Sequence, residues 1–558
     1  MTTLYIYDGE VDIELSSDDS VYWYSLGSGV VNYEDGNCLN DVNRLNEIAL
    51  ELRDEYANYI YSLNDSFLQN KFIIEDRLSA YFISDLSNKR TEIFDTYSSV
   101  CHLTIIGEKM KSITIDRIVF NGCSNSFVLA TRSIYPRCNV TTECIIDSST
   151  SILRQIKSQV HFFIGALVKV VFLYYYNFKN LRLREIENLF LTRFPMHFDE
   201  NYKEDKYGNL VTMKDCYLIS ILTDGMHQNL RFRAYKRTVR LISSQLKNAI
   251  LLDSYLRLKD VIVALINSLR FQYYRIILAS HSYNFREIDI SDFISLELAQ
   301  SFMRIPRLMM YSGAIKAVFR NYRVNNFIYY LHEYSYGRYF SYILSTFFPN
   351  VTTIGFQHGP AARRKLLYHL ASEESDRGEK DYLRHLPIPD KVLAENFHSA
   401  QIYTEAGYSN VCIMKEIYRL DYLKNIKRRD IQADTKLVAL GLHDGQSILN
   451  FLSKEITENK DKRYILKLHP KSGRNNLIIK QVRELNATNI EIGAGHVSEY
   501  LSFVSEVIVS YSSVGLEAHM LGIPTRLIQL PNKINESPLL DIQELALNRQ
   551  KDFGYYRA

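Results

Sequence analysis

The chain has 558 residues, of which 46% are hydrophobic and 23% charged, and its formal net charge at pH 7 is only +3. This length is enough for two large domains, and the composition is that of a globular protein with a sizeable core. The near-neutral charge argues against a nucleic-acid-binding protein. Seven cysteines without a CxxC pair or metal-ligand spacing indicate a reduced, cytoplasmic protein. The first residues lack basic and apolar regions, so no secretory signal is expected.

The first 120 residues predict an α/β opening. Strands are expected at Leu4–Tyr7 and in the apolar stretch Val21–Leu26, and an amphipathic helix is expected over Asp41–Leu68. Two further strands are predicted at Cys101–Ile106 and Ile113–Phe120. We interpret this alternation as the beginning of a first Rossmann-like half.

The middle of the chain is predominantly helical in pattern. The apolar window VHFFIGALVKVVFLYYY spans 17 residues, which is short for a membrane span, so a buried core helix is predicted, with a surface-lying membrane helix as the alternative. The run RFRAYKRTVR holds five basic residues, either on a solvated helix face or against anionic lipid or a phosphorylated acceptor. Helices over about 232–270 and 291–322, with a strand at Tyr274–Ala279, complete this region.

A complete βαβ unit is predicted next, with a strand at Phe327–Leu331, a helix at Tyr334–Phe347 and a strand at Thr352–Phe356. Reactive side chains follow both strands. Glu333 follows the first strand, where it is a candidate base, or alternatively an acid favoured by the helix dipole. The second strand ends in Gln357-His358-Gly359, and several basic residues follow, the first of them Arg363.

Two prolines, Pro387 and Pro389, indicate a linker, after which Lys391–Ala394 is predicted as a strand. The predicted domains are therefore an N-terminal Rossmann-like domain with helical insertions over 1–385 and a C-terminal donor domain over 386–540.

Three successive strand-loop-helix units occupy residues 436–530. Apolar runs at Leu437–Leu440, Tyr464–Leu468 and Val507–Val509 are each followed by polar residues and then by a helical pattern. Strands that alternate with helices predict a parallel sheet, which binds ligands at the carboxyl ends of its strands. The polar residues at these ends are His443, Asp444, Gly445, His469, Pro470, Ser512 and Ser513.

The chemistry of these loops suits one anionic ligand. Ser512 and Ser513 open a helix, where free backbone N–H groups and two hydroxyls favour a phosphate, and His469 can donate to a second oxygen. No glycine-rich loop with a P-loop lysine is present. Taken singly, the serine pair is also a common N-cap and His469-Pro470 a common turn, but three polar strand ends in succession favour a nucleotide-activated donor site.

The order of His469-Pro470, Ser512-Ser513 and Glu517 resembles the donor half of GT-B glycosyltransferases that use CMP- or CDP-activated donors. These include bacterial sialyltransferases, Kdo and other nonulosonic-acid transferases of capsule and lipopolysaccharide assembly, and the CDP-glycerol polymerases of teichoic acid synthesis. In the sialyltransferases an acidic-Asp-Gly motif supplies the base, whereas here His443 precedes Asp444-Gly445. Gln357-His358-Gly359 also resembles the last N-domain loop of the Kdo-transferase and CDP-glycerol polymerase groups.

The resemblance implies an α/β protein of two Rossmann-like domains that face a cleft. It also implies a C-terminal helix over 541–558 that packs back on the first domain. It implies an inverting glycosyltransferase that moves a sialic acid-like or Kdo-like sugar from a CMP donor to a surface glycan or glycolipid. The expected base is Asp444, with Glu333 and His358 as rivals. The expected donor-site residues are His469, Pro470, Ser512, Ser513, Glu517, Lys467 and Gly445. Residues expected at the acceptor or the donor carboxylate are Arg363 and Gln357.

No cofactor or metal is expected, because no Asp-x-Asp motif is present in a donor-side loop. The expected partners are the nucleotide sugar and the glycan acceptor, in a cytoplasmic enzyme that contacts the inner membrane peripherally at most. Two rivals stay open. One is a CDP-glycerol or CDP-ribitol phosphotransferase of the same fold with His358 as base, whose usual basic membrane-targeting region is not indicated by a net charge of +3. The other is a non-catalytic partner protein of GT-B shape.

Overall fold

The computed structural model describes most of the chain. The described residues are 2–8, 21–27, 37–146, 152–176, 185–195, 197–199, 201–204, 206–212, 214–220, 232–331, 334–357, 359–375, 381–416, 418–442, 444–469 and 472–542. Among the residues singled out above, Glu333, His358, His443 and Pro470 lie outside these ranges. So does almost all of the predicted helix over 541–558.

The N-terminal strands form a parallel sheet of their own. Its strands are β1 (Thr3–Tyr7), β2 (Val21–Ser25), β5 (Arg117–Ser124) and β6 (Asn139–Ile146). They pair in the order β2-β1-β5-β6. The strands near both predicted N-terminal positions are thus confirmed, but they do not join the sheet of the predicted βαβ unit. Sequence periodicity marks a strand without showing its partner, because pairing depends on contacts that are distant in sequence.

Helices pack around this N-terminal sheet. They are α1 (Val42–Glu51), α2 (Arg53–Ser62), α3 (Asn64–Gln69), α4 (Asp85–Asn88), α5 (Thr96–Met110) and α6 (Asn125–Ile134), and a short hairpin of β3 (Ile73–Ile74) and β4 (Leu78–Ser79) lies among them. The single helix predicted over Asp41–Leu68 is divided into the three helices α1, α2 and α3. Asp41 caps α1 by accepting from the Arg44 N–H. The predicted strand Cys101–Ile106 is wrong. It belongs to α5, a largely buried helix, and a short apolar run cannot distinguish the two.

A helical layer follows in the chain. It consists of α7 (Ile152–Tyr176), α8 (Phe232–Gln245), α9 (Leu258–Ala279), α10 (Ser291–Met309) and α11 (Ser312–Asn321), with a hairpin of β10 (Asn284–Phe285) and β11 (Ile288–Asp289). The predicted strand Tyr274–Ala279 is wrong, because these residues form the last turns of α9. The side chain of Asp260 accepts from the N–H of Arg257 at the start of α9, which closes its first turn.

A seven-stranded parallel sheet forms the centre of the molecule. Its strands are β7 (Glu185–Thr192), β8 (Cys216–Ile219), β9 (Ala249–Leu251), β12 (Arg323–Tyr330), β13 (Thr352–Phe356), β14 (Lys391–Ala394) and β15 (Val411–Ile413). They pair in the order β15-β14-β13-β12-β7-β8-β9, and α12 (Tyr334–Phe347) and α13 (Phe397–Glu405) connect neighbouring strands. The predicted βαβ unit is confirmed, since β12, α12 and β13 occupy the expected positions.

The last sheet has five parallel strands. They are β16 (Gln432–Ala439), β17 (Arg463–Lys467), β18 (Ile490–Ile492), β19 (Val504–Val509) and β20 (Thr525–Leu527), in the order β18-β17-β16-β19-β20. The helices α14 (Gly445–Glu458), α15 (Asn475–Leu485), α16 (Val497–Leu501) and α17 (Val514–Met520) connect them. Leu437 and Val438, adjacent in β16, belong to two different hydrophobic clusters, so both faces of this sheet are buried, as parallel sheets require.

The fold class is confirmed as α/β with parallel sheets and connecting helices. The predicted domain boundary after residue 385 separates strands that pair in one sheet, because β14 and β15 continue the seven-stranded sheet. A short 3₁₀ helix, Tyr418–Asn425, lies between β15 and the first strand of the five-stranded sheet. The strand pairing therefore moves the junction between these two sheets to the segment 414–431.

After the five-stranded sheet the chain returns to the N-terminal part. Asn532 accepts from Asn40 at 2.6 Å, and the N–H of Asn535 donates to Asn46 at 2.8 Å. Asp541 forms an ion pair with Arg364 at 3.3 Å, where both side chains are buried. We refer to residues 529–541 as the return segment, and a helical turn begins near its end at residue 538.

Candidate functional site

The carboxyl edge of the five-stranded sheet gathers the predicted donor loops. The strands β17, β16 and β19 are direct neighbours and run in the same direction, so the loops that follow them emerge side by side. These loops carry His469, Asp444 and the serines at 510, 512 and 513. Ligands of open parallel sheets bind at this edge, which makes it the first candidate site.

Asp444 is a buried residue at the start of α14, only 6% exposed. One of its carboxylate oxygens accepts from the N–H of Gly441 at 2.7 Å, and the other accepts from the hydroxyl of Ser510. The carboxylate thus ties the loop after β16 to the end of β19. In this arrangement Asp444 links the two loops.

Two glycines make this loop tight. A Cβ atom on Gly441 would lie 2.7 Å from an Asp444 oxygen and 2.9 Å from the ring of Tyr511. A Cβ atom on Gly445, a predicted donor-site residue, would lie 2.6 Å from Ile478 of α15. A side chain at Gly445 would therefore displace Ile478 where α14 packs against α15.

The loop after β17 is closed by backbone contacts of His469. Its carbonyl oxygen accepts from the N–H of Ser472 at 3.1 Å and from the side chain of Asn475 at 3.0 Å. The imidazole is partly exposed at the sheet edge. Lys467, expected near the donor carboxylate, donates to the carbonyl oxygens of Gly493 and Gly495 in the loop after β18. The loop after β18 therefore joins the same edge.

Ser512 and Ser513 are partly exposed where α17 begins. Ser513 occupies the N-cap position but makes no capping hydrogen bond, and its hydroxyl instead donates to Glu517 at 3.4 Å. Glu517 is buried and also accepts from the hydroxyl of Tyr422. Because α17 has only seven residues, a phosphate here would depend chiefly on the serine hydroxyls and on the neighbouring loops.

Tyr422 belongs to the 3₁₀ helix Tyr418–Asn425, which joins the two sheet edges. On one side it contacts Glu517 of the donor loops. On the other side Asp421 accepts from Asn209, and a Cβ atom on Gly208 would lie 2.3 Å from the carbonyl oxygen of Tyr418. Residues 208–210 lie between β7 and β8, and the ring of the preceding Tyr207 stacks on Tyr330, the last residue of β12. This 3₁₀ helix therefore connects the carboxyl end of the seven-stranded sheet with the loops of the five-stranded sheet.

The carboxyl edge of the seven-stranded sheet contains a small pocket that the sequence analysis missed. Its lining residues lie at the ends of β7, β8 and β12 or shortly after them, and they are Leu191, Thr192, Arg193, His197, Ser220, Tyr330 and Tyr336. Burial raises the pKa of Tyr336 well above its usual value, and its hydroxyl lies 3.0 Å from that of Ser220. The sequence does carry a signal for this site. The apolar run Leu189–Leu191 ends in polar and basic residues, which is the pattern that predicted the other strands.

A buried carboxylate organises the loop beside this pocket. Glu204 is 1% exposed and accepts from the N–H groups of Lys206 and Tyr207 at 2.9 and 2.6 Å. It also accepts from the hydroxyl of Tyr330, at the end of β12. Glu204 therefore fixes the loop between β7 and β8 against the end of β12.

Gln357 and Arg363, predicted near the acceptor or donor carboxylate, are engaged within the protein. Gln357 is fully buried, donates to the carbonyl oxygen of Gly359 at 2.7 Å and accepts from the N–H of Glu395 at 2.9 Å. The N–H of Arg363 donates to Asp541, and its guanidinium lies 3.4 Å from Glu405. Gln357 thus cross-links two strand ends, and Arg363 belongs to the anchor of the return segment.

Within the described ranges no group of three His, Cys, Asp or Glu residues is arranged to hold a metal ion. Metal independence stays a prediction. The residues that the structure brings to the donor edge are Asp444, Gly445, Lys467, His469, Ser512, Ser513 and Glu517. Gln357 and Arg363 lie apart from them, after β13.

No family model matches the chain, and no curated protein sequence matches it. Several solved structures are similar to part of the chain. The UDP-GlcNAc 2-epimerase of Neisseria meningitidis bound to UDP-GlcNAc is 10% identical, with 66% of this chain and 93% of that chain covered and a TM-score of 0.32. A glycosyltransferase from Rickettsia africae is also 10% identical, with 66% and 89% covered and a TM-score of 0.33.

Anabaena HepE in complex with UDP and glucose gives the same identity, 10%, with 66% and 91% covered and a TM-score of 0.32. These scores are too low to support an argument about activity. We therefore infer the function from the residues of this chain.

Proposed function

We propose that this protein is a GT-B glycosyltransferase that uses a nucleotide-activated sugar. The observation that carries the proposal is the junction at Tyr422, which brings together the carboxyl edges of two parallel sheets. Parallel sheets bind ligands at these edges, and in this proposal one edge supplies the site for the donor and the other the site for the acceptor. The donor belongs on the five-stranded sheet, where the loops that carry His469 and the serines lie along one edge.

For the donor we propose a CMP-linked nonulosonic acid, either sialic acid-like or Kdo-like. The support is the order of His469, Ser512 and Ser513, which follow the strands β17 and β19 on either side of β16 and match the sialyltransferase pattern. In this proposal the two hydroxyls and the imidazole stabilise the negative charge that grows on the departing CMP phosphate. Pro470 would fix the loop that carries His469.

The geometry of Asp444 bears on the proposed base. A general base must reach the acceptor hydroxyl, yet both oxygens of Asp444 already accept hydrogen bonds from Gly441 and Ser510. We therefore assign the proton transfer to the other edge, where the rival candidates Glu333 and His358 follow β12 and β13. The reaction would be a single inverting displacement with the acceptor glycan on the seven-stranded sheet.

A second candidate is a CDP-glycerol or CDP-ribitol phosphotransferase. The net charge of +3 weighed against it because such enzymes tend to carry a basic membrane-targeting region. The net charge of the whole chain, however, does not show that basic residues are concentrated in one region. The helices α7, α8 and α9 hold three, four and three Lys or Arg residues and a single Asp, which gives this region a charge of +9. The charge argument against this candidate is therefore removed.

The test is a thermal-shift panel of CMP, CDP, UDP and GDP against the wild type, His469→Ala and His519→Ala. His519 is an exposed histidine at the end of α17 and serves as the control. A ligand at a hundred times its dissociation constant adds about 2.7 kcal/mol to stability. We expect stabilisation by cytidine nucleotides only, lost in His469→Ala and kept in His519→Ala.

The ranking of the nucleotides separates the candidates. CMP above CDP supports the nonulosonic-acid donor, and CDP above CMP supports the polyol phosphate donor. Stabilisation by UDP or GDP instead would refute the cytidine assignment while leaving a nucleotide-sugar enzyme. If no nucleotide bound, the non-catalytic partner protein would replace both candidates.

A further inference from the structure

An apolar surface lies on α7 and α9, far from the donor loops in sequence. Of the large hydrophobic side chains exposed in the described part of the chain, twelve of 22 belong to these two helices. On α7 they are Ile156, Val160, Ile164, Val168 and Val171, and on α9 they are Leu258, Ile262, Val263, Ile266, Leu269, Tyr273 and Ile276. We call these twelve residues the apolar face. Such concentration is not the scattered surface hydrophobicity of ordinary soluble proteins.

Each helix confines its exposed apolar residues to one stripe. The spacing on α7 is four, four, four and three residues, and most of the spacings on α9 are three or four, so each set lies on one side of its helix. The opposite side of α9 is buried, with Val261, Ala264 and Phe271 packed inside the protein. The stripes are therefore outward faces of helices that are otherwise well packed.

The two stripes form one surface because the helices lie side by side. Gln159 of α7 donates to Ser268 of α9 at 3.2 Å, and Gln155 accepts from Arg275, so the helices run antiparallel. Viewed along each helix from its N-terminus, the exposed stripe lies roughly a third of a turn away from these contact residues. The direction of this rotation is the same on both helices. For antiparallel neighbours this puts both stripes on the same side of the pair.

The size of the apolar face is unusual for a protein surface that stays in water. Its residues range from 44% exposed at Ile156 to 68% exposed at Leu269 and Ile276. Twelve such side chains leave on the order of 1,000 Å² of apolar surface, where a monomer commonly shows a few hundred. A surface of this kind indicates a binding partner.

Positive charge surrounds the apolar face. Arg154, Lys157 and His161 are exposed on α7 beside its stripe, and Lys259 and Arg270 are exposed on α9. The helix α8 packs on α7 through Val239, Ile242 and Phe172. Its basic residues Lys236, Arg237 and Arg240 line an open depression together with Leu241 and Ser244.

The charge of this region is opposite to that of the rest of the chain. The three helices carry +9 and the whole chain +3, so the remaining residues are net negative. Basic residues around an exposed apolar stripe are the pattern of helices that lie in the interface of an anionic membrane. A second copy of this chain would bring two such charged regions together, which favours the membrane as the partner.

One helix in the described ranges, α9, is long and apolar enough to cross a membrane, with a mean hydropathy of 1.3. Its packing argues against a span, because 33% of its most apolar 18-residue stretch is buried inside the protein and Arg270 is exposed within the helix. A helix that is buried on one side and apolar on the other can lie in the plane of the membrane.

We propose that the apolar face, with the basic residues of α8 beside it, docks the protein on an anionic lipid bilayer. The proposal does not depend on which nucleotide the donor loops bind. The partner is identified by its chemistry: an acyl region for the twelve apolar side chains and anionic phosphate headgroups for Lys236, Arg237 and Arg240.

The test is flotation of the full-length protein with vesicles of phosphatidylcholine, with and without phosphatidylglycerol. The wild type should float with the anionic vesicles, less with the neutral ones, and less again at high salt. The variant Ile266→Glu/Leu269→Glu should bind about tenfold more weakly or worse, because two charges would enter the acyl region. The control Leu477→Glu alters a leucine on α15 that is 52% exposed, and this variant should float as the wild type does.

A second pair of variants isolates the charge. Arg237→Ala/Arg240→Ala should weaken binding to anionic vesicles only, whereas Lys454→Ala/Lys480→Ala, which removes two exposed lysines of the donor half, should not. An unchanged melting temperature for every variant confirms that the fold is kept. The CMP-induced thermal shift should be unchanged as well, which separates this proposal from the nucleotide assignment.

Three outcomes would overturn the proposal. The first is a wild type that fails to float with anionic vesicles. The second is equal flotation with neutral and anionic vesicles, which would refute the headgroup assignment. The third is a wild type that binds no vesicles and is a dimer in light scattering, while Ile266→Glu/Leu269→Glu is a monomer. This result would assign the apolar face to a second copy of the chain.

Discussion

The hydroxyl of Ser510 donates to the carboxylate of Asp444, and this contact connects the ends of two neighbouring strands, β19 and β16. The second oxygen of the same carboxylate accepts from the N–H of Gly441. One buried acid therefore fixes both loops that flank the centre of the proposed donor site. The sequence pattern predicts a catalytic role for this acid, whereas its contacts lead us to propose a positioning role.

Two substitutions at Asp444 distinguish positioning from catalysis. Asp444→Asn keeps an oxygen for the Gly441 N–H and an amide that the Ser510 hydroxyl can accept from, so stability and CMP binding should be nearly unchanged. Sugar transfer should fall by less than about tenfold, because removal of a general base costs about 10²–10⁴. Asp444→Ala leaves buried donors unsatisfied and should lower the unfolding free energy by about 1–3 kcal/mol in urea titrations.

The activity of Asp444→Asn decides the question. A loss of a thousandfold in turnover with a wild-type melting temperature and wild-type CMP binding would restore Asp444 as the base. Under the assignment made here, that loss appears instead in His358→Ala or Glu333→Gln.

The bond between Tyr422 and Glu517 should couple the 3₁₀ helix to the donor loops. Tyr422→Phe removes a donor to a buried carboxylate and should cost about 1–3 kcal/mol of unfolding free energy. In a double-mutant cycle with Glu517→Gln, the two effects should be non-additive by about 1 kcal/mol or more. Tyr273→Phe, at an exposed tyrosine of α9, is the control and should change little. Strictly additive effects in the cycle would show that the two residues act independently.

The parallel strands could be predicted from the sequence because each is a short apolar run that ends in polar residues. The predictions at β12, β13, β14, β16, β17 and β19 succeeded for that reason. The strand predicted at Cys101–Ile106 failed because a helix buried on most sides shows the same apolar run. The division into three sheets was not predictable, since β7 and β12 pair although more than a hundred residues separate them.

The candidate site was predictable in its location and less so in its roles. The loops of His469, Asp444 and Ser512 were expected at one edge, and the strand order brings them there. The sequence could not reveal that the Gln357 side chain forms hydrogen bonds with Gly359 and Glu395, because such contacts depend on strand packing. Arg193 and His197 were missed although they follow a strand in the same way.

A buried ion pair between Lys89 and Glu374 gives a stability prediction. The two side chains are 1% and 0% exposed and 3.2 Å apart. Lys89→Met should lower the unfolding free energy by about 3–5 kcal/mol, because Glu374 is left as an uncompensated buried charge. The double variant Lys89→Met/Glu374→Gln should recover much of this loss in the same urea titration.

An exposed pair provides the matched control. Lys424 and Glu416 are 2.7 Å apart but 61% and 48% exposed, and Lys424→Met should not change the unfolding midpoint. If Lys89→Met were equally silent, or if the double variant were less stable than both single variants, the pair would not behave as a buried ion pair.

The buried Glu297 predicts a pH dependence of stability. Burial is the main cause that raises its pKa from 4.5 to about 8, and the Thr96 hydroxyl donates to it. Between pH 4.5 and 8 the native state keeps a proton that the unfolded state releases, so the contribution of this group to stability falls as the pH rises. The slope is at most about 1.4 kcal/mol per pH unit.

Glu297→Gln should remove this contribution. Urea titrations at several pH values should show the variant gaining stability over the wild type as the pH rises from 5 to about 8. Glu458→Gln, at an exposed position of α14, should leave the profile parallel to that of the wild type. A constant difference between Glu297→Gln and the wild type across this range would contradict the raised pKa.

The return segment has a consequence for synthesis on the ribosome. Asn40 bonds to Asn532, and the loop of chain between them includes both later sheets. The N-terminal sheet emerges first, but its contact surface is completed only by residues translated nearly five hundred positions later. Contacts of such sequence separation form slowly, and exposed apolar surface on a waiting intermediate promotes aggregation. The newly made N-terminal region should therefore depend on chaperones until translation of the return segment is complete.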